Sequence, residues 1–124
     1  MTDGRQRTGR IAEELVAARL AAQGWRVLER NARTRAGEID IIALDGNTLV
    51  FLEVKAAREG AGPFAEAPEL AVGPRKQRRL RCLAAAWLAR SARRRGWREV
   101  RFDVVGVTLG PGGVVRYEHL RAAF

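Results

Sequence analysis

The chain is poor in most of the residue types that announce a function. Its 124 residues contain one cysteine, Cys82, and one histidine, His119. A lone cysteine excludes an intrachain disulfide, and the two residues together cannot build a Cys/His zinc centre. Aromatics make up 6% of the chain, which argues against a base-stacking platform of the kind single-strand binders use. No apolar run approaches the ~20 residues of a bilayer span. The segment Met1 to Arg10 lacks the apolar core of a signal peptide. These absences predict a cytoplasmic protein with no membrane partner. P-loop, GxSxG and GxGxxG patterns are missing, as is any internal repeat. Acidic residues are also few, 14 against 23 Lys and Arg, leaving a net charge of +9. That excess points to a polyanionic partner, nucleic acid ahead of a membrane surface. An arginine-rich composition would by itself inflate the charge, so clustering matters more than the total.

What is present fits one domain, residues 1–124, with a real core. Residues 1–7 read as a loose arm, and Thr8 as the N-cap of a helix over Gly9 to Gln23 that ends at Gly24. Ile11, Leu15, Ala18 and Ala22 mark its expected buried stripe, flanked by Ala12 and Val16. Trp25 to Asn31 reads as an edge strand. Residues 56–73, rich in Ala, Gly and Pro, read as a loop. Pro74 then opens a long helix to about Arg95, with Leu80, Leu83, Ala84, Trp87 and Leu88 on its core face. Cys82, beside that stripe, reads as a packing residue, and His119 as a satisfied or surface histidine. Arg101 to Leu109 and Val114 to Leu120 alternate as strands around a Gly110-Pro111-Gly112-Gly113 turn. The order predicts an α/β domain, a mixed sheet flanked by helices.

The richest chemistry lies in a hairpin, Glu38 to Leu44 and Thr48 to Lys55, turned at Asp45-Gly46-Asn47. With a two-residue loop, Asp45 pairs with Thr48, which sets Asp40 opposite Glu53 and Glu38 opposite Lys55. Facing carboxylates repel unless a cation lies between them. Magnesium asks for only one or two carboxylates and keeps several waters. Asp40 and Glu53 therefore form a candidate ligand pair, with the Val54 carbonyl in reach. Lys55, on the same strand face, is placed to assist a water nucleophile and to stabilise charge developing at phosphorus. Glu13 lies off the centre of the first helix's stripe. Arg35 sits with Arg30 and Arg33 in the approach to the hairpin. The long helix carries Arg75, Lys76, Arg78, Arg79 and Arg81 at its start and Arg93, Arg94, Arg95 and Arg98 at its end. The first cluster opposes the helix dipole, a placement that phosphates would relieve.

Gly9-x-x-Ala12-Glu13, Asn31, Gly37 to Ile42, Phe51 to Lys55, Lys76-Gln77-x-x-Leu80 and Arg101 to Val105, in that order over nearly the whole chain, resemble the YraN-type family of small basic bacterial proteins. That family has a restriction-endonuclease-like fold similar to archaeal Holliday-junction resolvases. The resemblance implies a PD-(D/E)xK site: Asp40, Glu53 and Lys55 as the catalytic signature, and Glu13 as an additional metal ligand borne on a helix. It also places Gln77 where related nucleases carry a polar residue near the site. The chain departs from the pattern at Ile39, where the superfamily has Pro, at Ala12, where a second Gly is common, and at Arg58, one position later than usual. Two readings follow. One is a Mg²⁺- or Mn²⁺-dependent endonuclease acting on DNA, branched or structured DNA included. The other is a nucleic-acid-binding protein that keeps the fold and does no chemistry. In both, Arg35, Arg58, Arg75, Lys76, Gln77, Arg78 and Arg79 are the expected nucleic-acid contacts, and a homodimer is an analogy with junction-cutting enzymes.

Overall fold

The structure, a computed structural model, describes residues 4–60, 70–90 and 96–124. Five strands form one mixed sheet in the order β1-β2-β3-β4-β5. They are β1 (Arg26–Thr34), β2 (Gly37–Asp45), β3 (Thr48–Arg58), β4 (Glu99–Gly110) and β5 (Gly113–Leu120). Only β3 and β4 run parallel, because the chain crosses over between them through α2 (Pro74–Arg90). Helix α1 (Gly4–Ala22) precedes the sheet. The β2–β3 turn is the expected two-residue one: Asp45 pairs with Thr48, Leu44 with Leu49 and Ile41 with Leu52. Gly46, at φ 60°, takes the left-handed conformation such a turn needs.

Among the described residues each face of the sheet carries one helix. Ala12, Val16 and Leu20 of α1 pack against Ile41, Ala43, Val50, Leu52, Val105 and Val107. On the other face Leu83, Ala84 and Trp87 of α2 pack against Ala32, Ile42, Leu49 and Phe51. Trp87 is fully buried and meets Phe51 edge-on at 5.8 Å between ring centroids, a preferred aromatic geometry. A sheet covered on both faces explains why β2 and β3 read as near-continuous apolar runs in their middle.

Several local expectations change. Helix α1 begins at Gly4, so residues 4–7 belong to it and form no arm. Thr8 is no N-cap: its hydroxyl donates back to the Gly4 carbonyl at 2.8 Å and accepts from Arg58 Nε at 2.8 Å. The buried stripe is Thr8, Ala12, Val16 and Leu20, spaced by four, while Ile11, Ala18 and Ala22 are exposed. An alanine-rich helix defines its apolar face weakly, so tertiary contact chose it. Strand β1 runs to Thr34, past a register shift between Val27 and Glu29, and Trp25 is a buried residue preceding it. Strand β3 extends through Arg58, paired with Leu109, so 56–58 are strand and no loop. Of the rest of the expected loop, 59–60 and 70–73 are described and lie outside helix and strand; residues 61–69, and Arg93, Arg94 and Arg95, lie outside the described residues. Cys82 is exposed and packs in no core. Among the described residues no helix is long and apolar enough to cross a membrane.

Candidate active site at the fork between β2 and β3

The β2–β3 ladder ends at Ile41–Leu52. Beyond it β2 stays with β1 as far as Gly37, and β3 stays with β4 as far as Arg58. The two strands therefore part, and the next position on each carries a carboxylate, Asp40 and Glu53. The parting strips β3 of its β2 partner at Val54, which keeps Val105 of β4 on its other side. Asp40 replaces the missing partner: its Oδ2 accepts the Val54 N–H at 2.8 Å. Val54 thus offers the site its amide.

Asp40 is in a costly environment. Burial, with the neighbouring charges of Glu13 and Glu53, pushes its carboxyl up to about 6, against the opposing pull of the Val54 N–H and Lys76. Glu13 reaches it from α1, with Asn31 as a second hydrogen-bond partner, and burial raises its pKa too. Both carboxyls are thus held above their ordinary values, burial being the main cause in each.

Glu53, on the other prong, has a side chain only 12% exposed, and it is ion-paired with Lys76. Its Oε2 is buried with no hydrogen-bond partner among the described residues. Asp40 and Glu53 line one cavity of about 150 Å³ with Glu38, Leu52, Lys76, Arg79, Leu80 and Leu83. Lys55, half-buried, donates from Nζ to the Ala71 carbonyl at 3.1 Å. Gln77 donates to the Val72 carbonyl at 2.7 Å, so both side chains brace the entry to α2.

The expected residues thus divide. Asp40 and Glu53 share a cavity, Glu13 touches Asp40 from the helix side, and Lys55 projects onto the 70–73 segment. The expected Glu38–Lys55 pair does not form, because the strands have already parted; Glu38 pairs with Arg33 at 3.0 Å. Lys76, half-exposed, is ion-paired with Glu53, and Gln77 donates to the backbone. Arg58 is tied to Thr8. Arg35, Arg75 and Arg78 are exposed. Arg79 lines the cavity, with its guanidinium end 2.9 Å from where a β-carbon on Gly37 would lie. Gly37, at φ 142°, holds a conformation other residues rarely adopt.

Among the described residues no three His, Cys, Asp or Glu side chains gather closely enough to hold a metal ion. The two carboxylates of the cavity nevertheless fit a divalent cation with several waters. A buried carboxylate oxygen without a donor is the kind of atom a cation satisfies.

A second charged cluster escaped the sequence reading. Asp103, fully buried, accepts from Arg101 Nε at 2.8 Å and from the Ala122 N–H at 3.0 Å, and lies 2.8 Å from His119 Nε2. Burial alone would raise its carboxyl, but His119, Arg101 and the Ala122 amide hold it below the usual value. His119 is satisfied, as expected, by an acidic partner 16 residues away; a β-strand pairing, invisible to local spacing, brings them together.

A family model described as "Uncharacterised protein family UPF0102" matches residues 12–107. A UPF0102 protein of Anaeromyxobacter dehalogenans is 48% identical over 124 residues, covering 98% of this chain and 87% of the relative. One from Rhodococcus opacus is 45% identical over 117 residues, covering 94% of each. One from Frankia alni is 50% identical over 116 residues, covering 94% of this chain and 92% of the relative. Among solved structures, Pyrococcus furiosus SfsA in complex with Ca²⁺ aligns with a TM-score of 0.40 at 18% identity. That alignment covers 92% of this chain and 62% of SfsA.

Proposed function

Since the chain belongs to the uncharacterised protein family UPF0102, whose name assigns no chemistry, we propose a function from its site: a metal-dependent endonuclease acting on DNA, branched or structured DNA included. The carrying observation is the cavity where β2 and β3 part, with Asp40 and Glu53 on its two walls and Glu53 Oε2 without a donor among the described residues. Asp40 and Glu53 would hold Mg²⁺ or Mn²⁺, with Glu13 supporting Asp40 from α1. When bound, such an ion supplies an acidified water and neutralises charge at phosphorus.

The chain's own residues do the rest. Hydrogen bonding by the Val54 N–H orients Asp40. Lys55, two residues on from Glu53, donates to the Ala71 carbonyl; turned toward the fork, it would steady the water or the phosphate oxygens. Arg75 and Arg78 on the exposed side of α2, with Arg79 at the cavity and Arg35 in the β1–β2 turn, supply phosphate contacts. In this reading the protein works in the cytoplasm, and a homodimer would place two such sites on paired strands.

The second reading is a nucleic-acid-binding protein without chemistry. The Lys76–Glu53 pair and the lack, among the described residues, of a converged set of three carboxylates favour it. Cleavage of labelled linear, flapped and four-way-junction DNA, with an RNA control, in Mg²⁺ and Mn²⁺ separates the two. Asp40→Ala and Lys55→Ala are expected to abolish cutting while duplex binding survives. Tight, salt-sensitive binding with no cutting of any substrate would establish the second reading.

A further inference from the structure

The ion pair between Lys76 and Glu53 ties the first turn of α2 to the inner wall of the fork. Its partners are unequal. The Lys76 side chain is 48% exposed and that of Glu53 12%. A half-exposed ammonium regains water and rotamer freedom on leaving, so departure costs it little. Glu53 has no such option. One of its oxygens is already buried without a donor among the described residues, and a buried carboxylate deprived of its cation is strongly destabilised. A positive charge beside Glu53 therefore stabilises it, and the cavity it shares with Asp40 and Lys76 has room for a second cation.

We propose that Lys76 is the exchangeable counter-ion of Glu53: its ammonium holds the carboxylate until a divalent metal takes its place. The inference rests on the metal-site reading above. Two consequences follow from the geometry. Competition with Lys76 weakens metal binding in the free protein. Displacement returns an ammonium to the exposed side of α2 beside Arg75 and Arg78, adding a charge there for phosphate. Metal and polyanion then strengthen each other's binding, because coupling between two ligands is reciprocal.

The test is a Mn²⁺ titration, followed by the electron paramagnetic resonance signal of the free ion. It uses the wild-type chain, Lys76→Met, Lys76→Arg and Asp40→Asn, each with and without a duplex oligonucleotide. Lys76→Met is expected to bind Mn²⁺ about tenfold more tightly than wild type, with Lys76→Arg at or below wild type. Asp40→Asn is expected to lose binding. The duplex should tighten Mn²⁺ binding in wild type and do so less in Lys76→Met. Unchanged or weaker Mn²⁺ binding by Lys76→Met, with wild type still exceeding Asp40→Asn, overturns the exchange and leaves the metal site standing. Absence of binding by every variant, duplex present, overturns the metal reading itself and this inference with it. Lys76→Gln, assayed alongside with circular dichroism, guards against misfolding of the Met variant.

Discussion

Replacing Asp40 with Asn should make this protein more stable, and by an amount that depends on pH. The folded state lifts the carboxyl from its ordinary 3.8 to about 6. At about 1.36 kcal/mol per pK unit, that difference corresponds to about 3 kcal/mol. Where both states are protonated, below the unfolded value, the cost is absent. As pH rises from there through the folded value, the unfolded chain releases its proton first, and stability falls until both states are ionised. Asn carries no charge at any pH, yet its amide oxygen can keep the bond from the Val54 N–H, so the swap removes the ionisation cost with little lost contact. Linkage gives a gain of about 1 kcal/mol near pH 4.5 and about 3 kcal/mol near pH 7.5. Because the side chain is only part-buried, the upper figure is a ceiling. Urea unfolding of both proteins in metal-free buffer at the two pH values reads the difference directly, as a midpoint rise of roughly 1–2 M at the higher pH. An Asn variant that is less stable at high pH, or equally stabilised at both, would refute the reasoning. The prediction also bears on function, since a residue kept at a cost to stability is characteristic of a working site.

Three further outcomes follow from the same geometry. Asp103→Ala leaves Arg101, His119 and the Ala122 amide without their shared acceptor, and should cost about 3–5 kcal/mol, seen as a large drop in Tm. Gly37→Ala should cost about 1–2 kcal/mol in urea unfolding, chiefly from its left-handed backbone, with Arg79 displaced from the cavity wall. Arg75→Ala and Arg78→Ala should each lower the slope of log affinity for duplex DNA against log salt by about one, without unfolding the chain; an unchanged slope moves the footprint to another face.

Much of this molecule was legible from local pattern alone. Alternating apolar residues placed all five strands, Gly46-Asn47 closed the β2–β3 turn, and the two-residue loop set a register that holds from Asp45–Thr48 to Ile41–Leu52. Pro74 marked the start of α2, and the spacing of Leu83, Ala84 and Trp87 marked its core face. That register carries Asp40 and Glu53 only to the first position past the last pair, Ile41–Leu52, so the expected facing of the two does not form as a ladder pair. The α1 stripe was misplaced because alanines blur the face of a helix, and β3 overran its expected end because pairing with β4 extends it.

The remaining features were decided by tertiary structure. Where β2 and β3 part depends on each strand having a second neighbour to follow, and no local pattern encodes that. The parting turns a repelling cross-strand pair into two walls of a cavity, frees the Val54 amide for Asp40, and lets α2 bring Lys76 to Glu53. It likewise took the β4–β5 pairing to bring His119 to Asp103. Periodicity fixes which face a side chain takes, because it depends on neighbouring backbone torsions. Which charge it meets there depends on elements far away in the chain, and only their packing settles that.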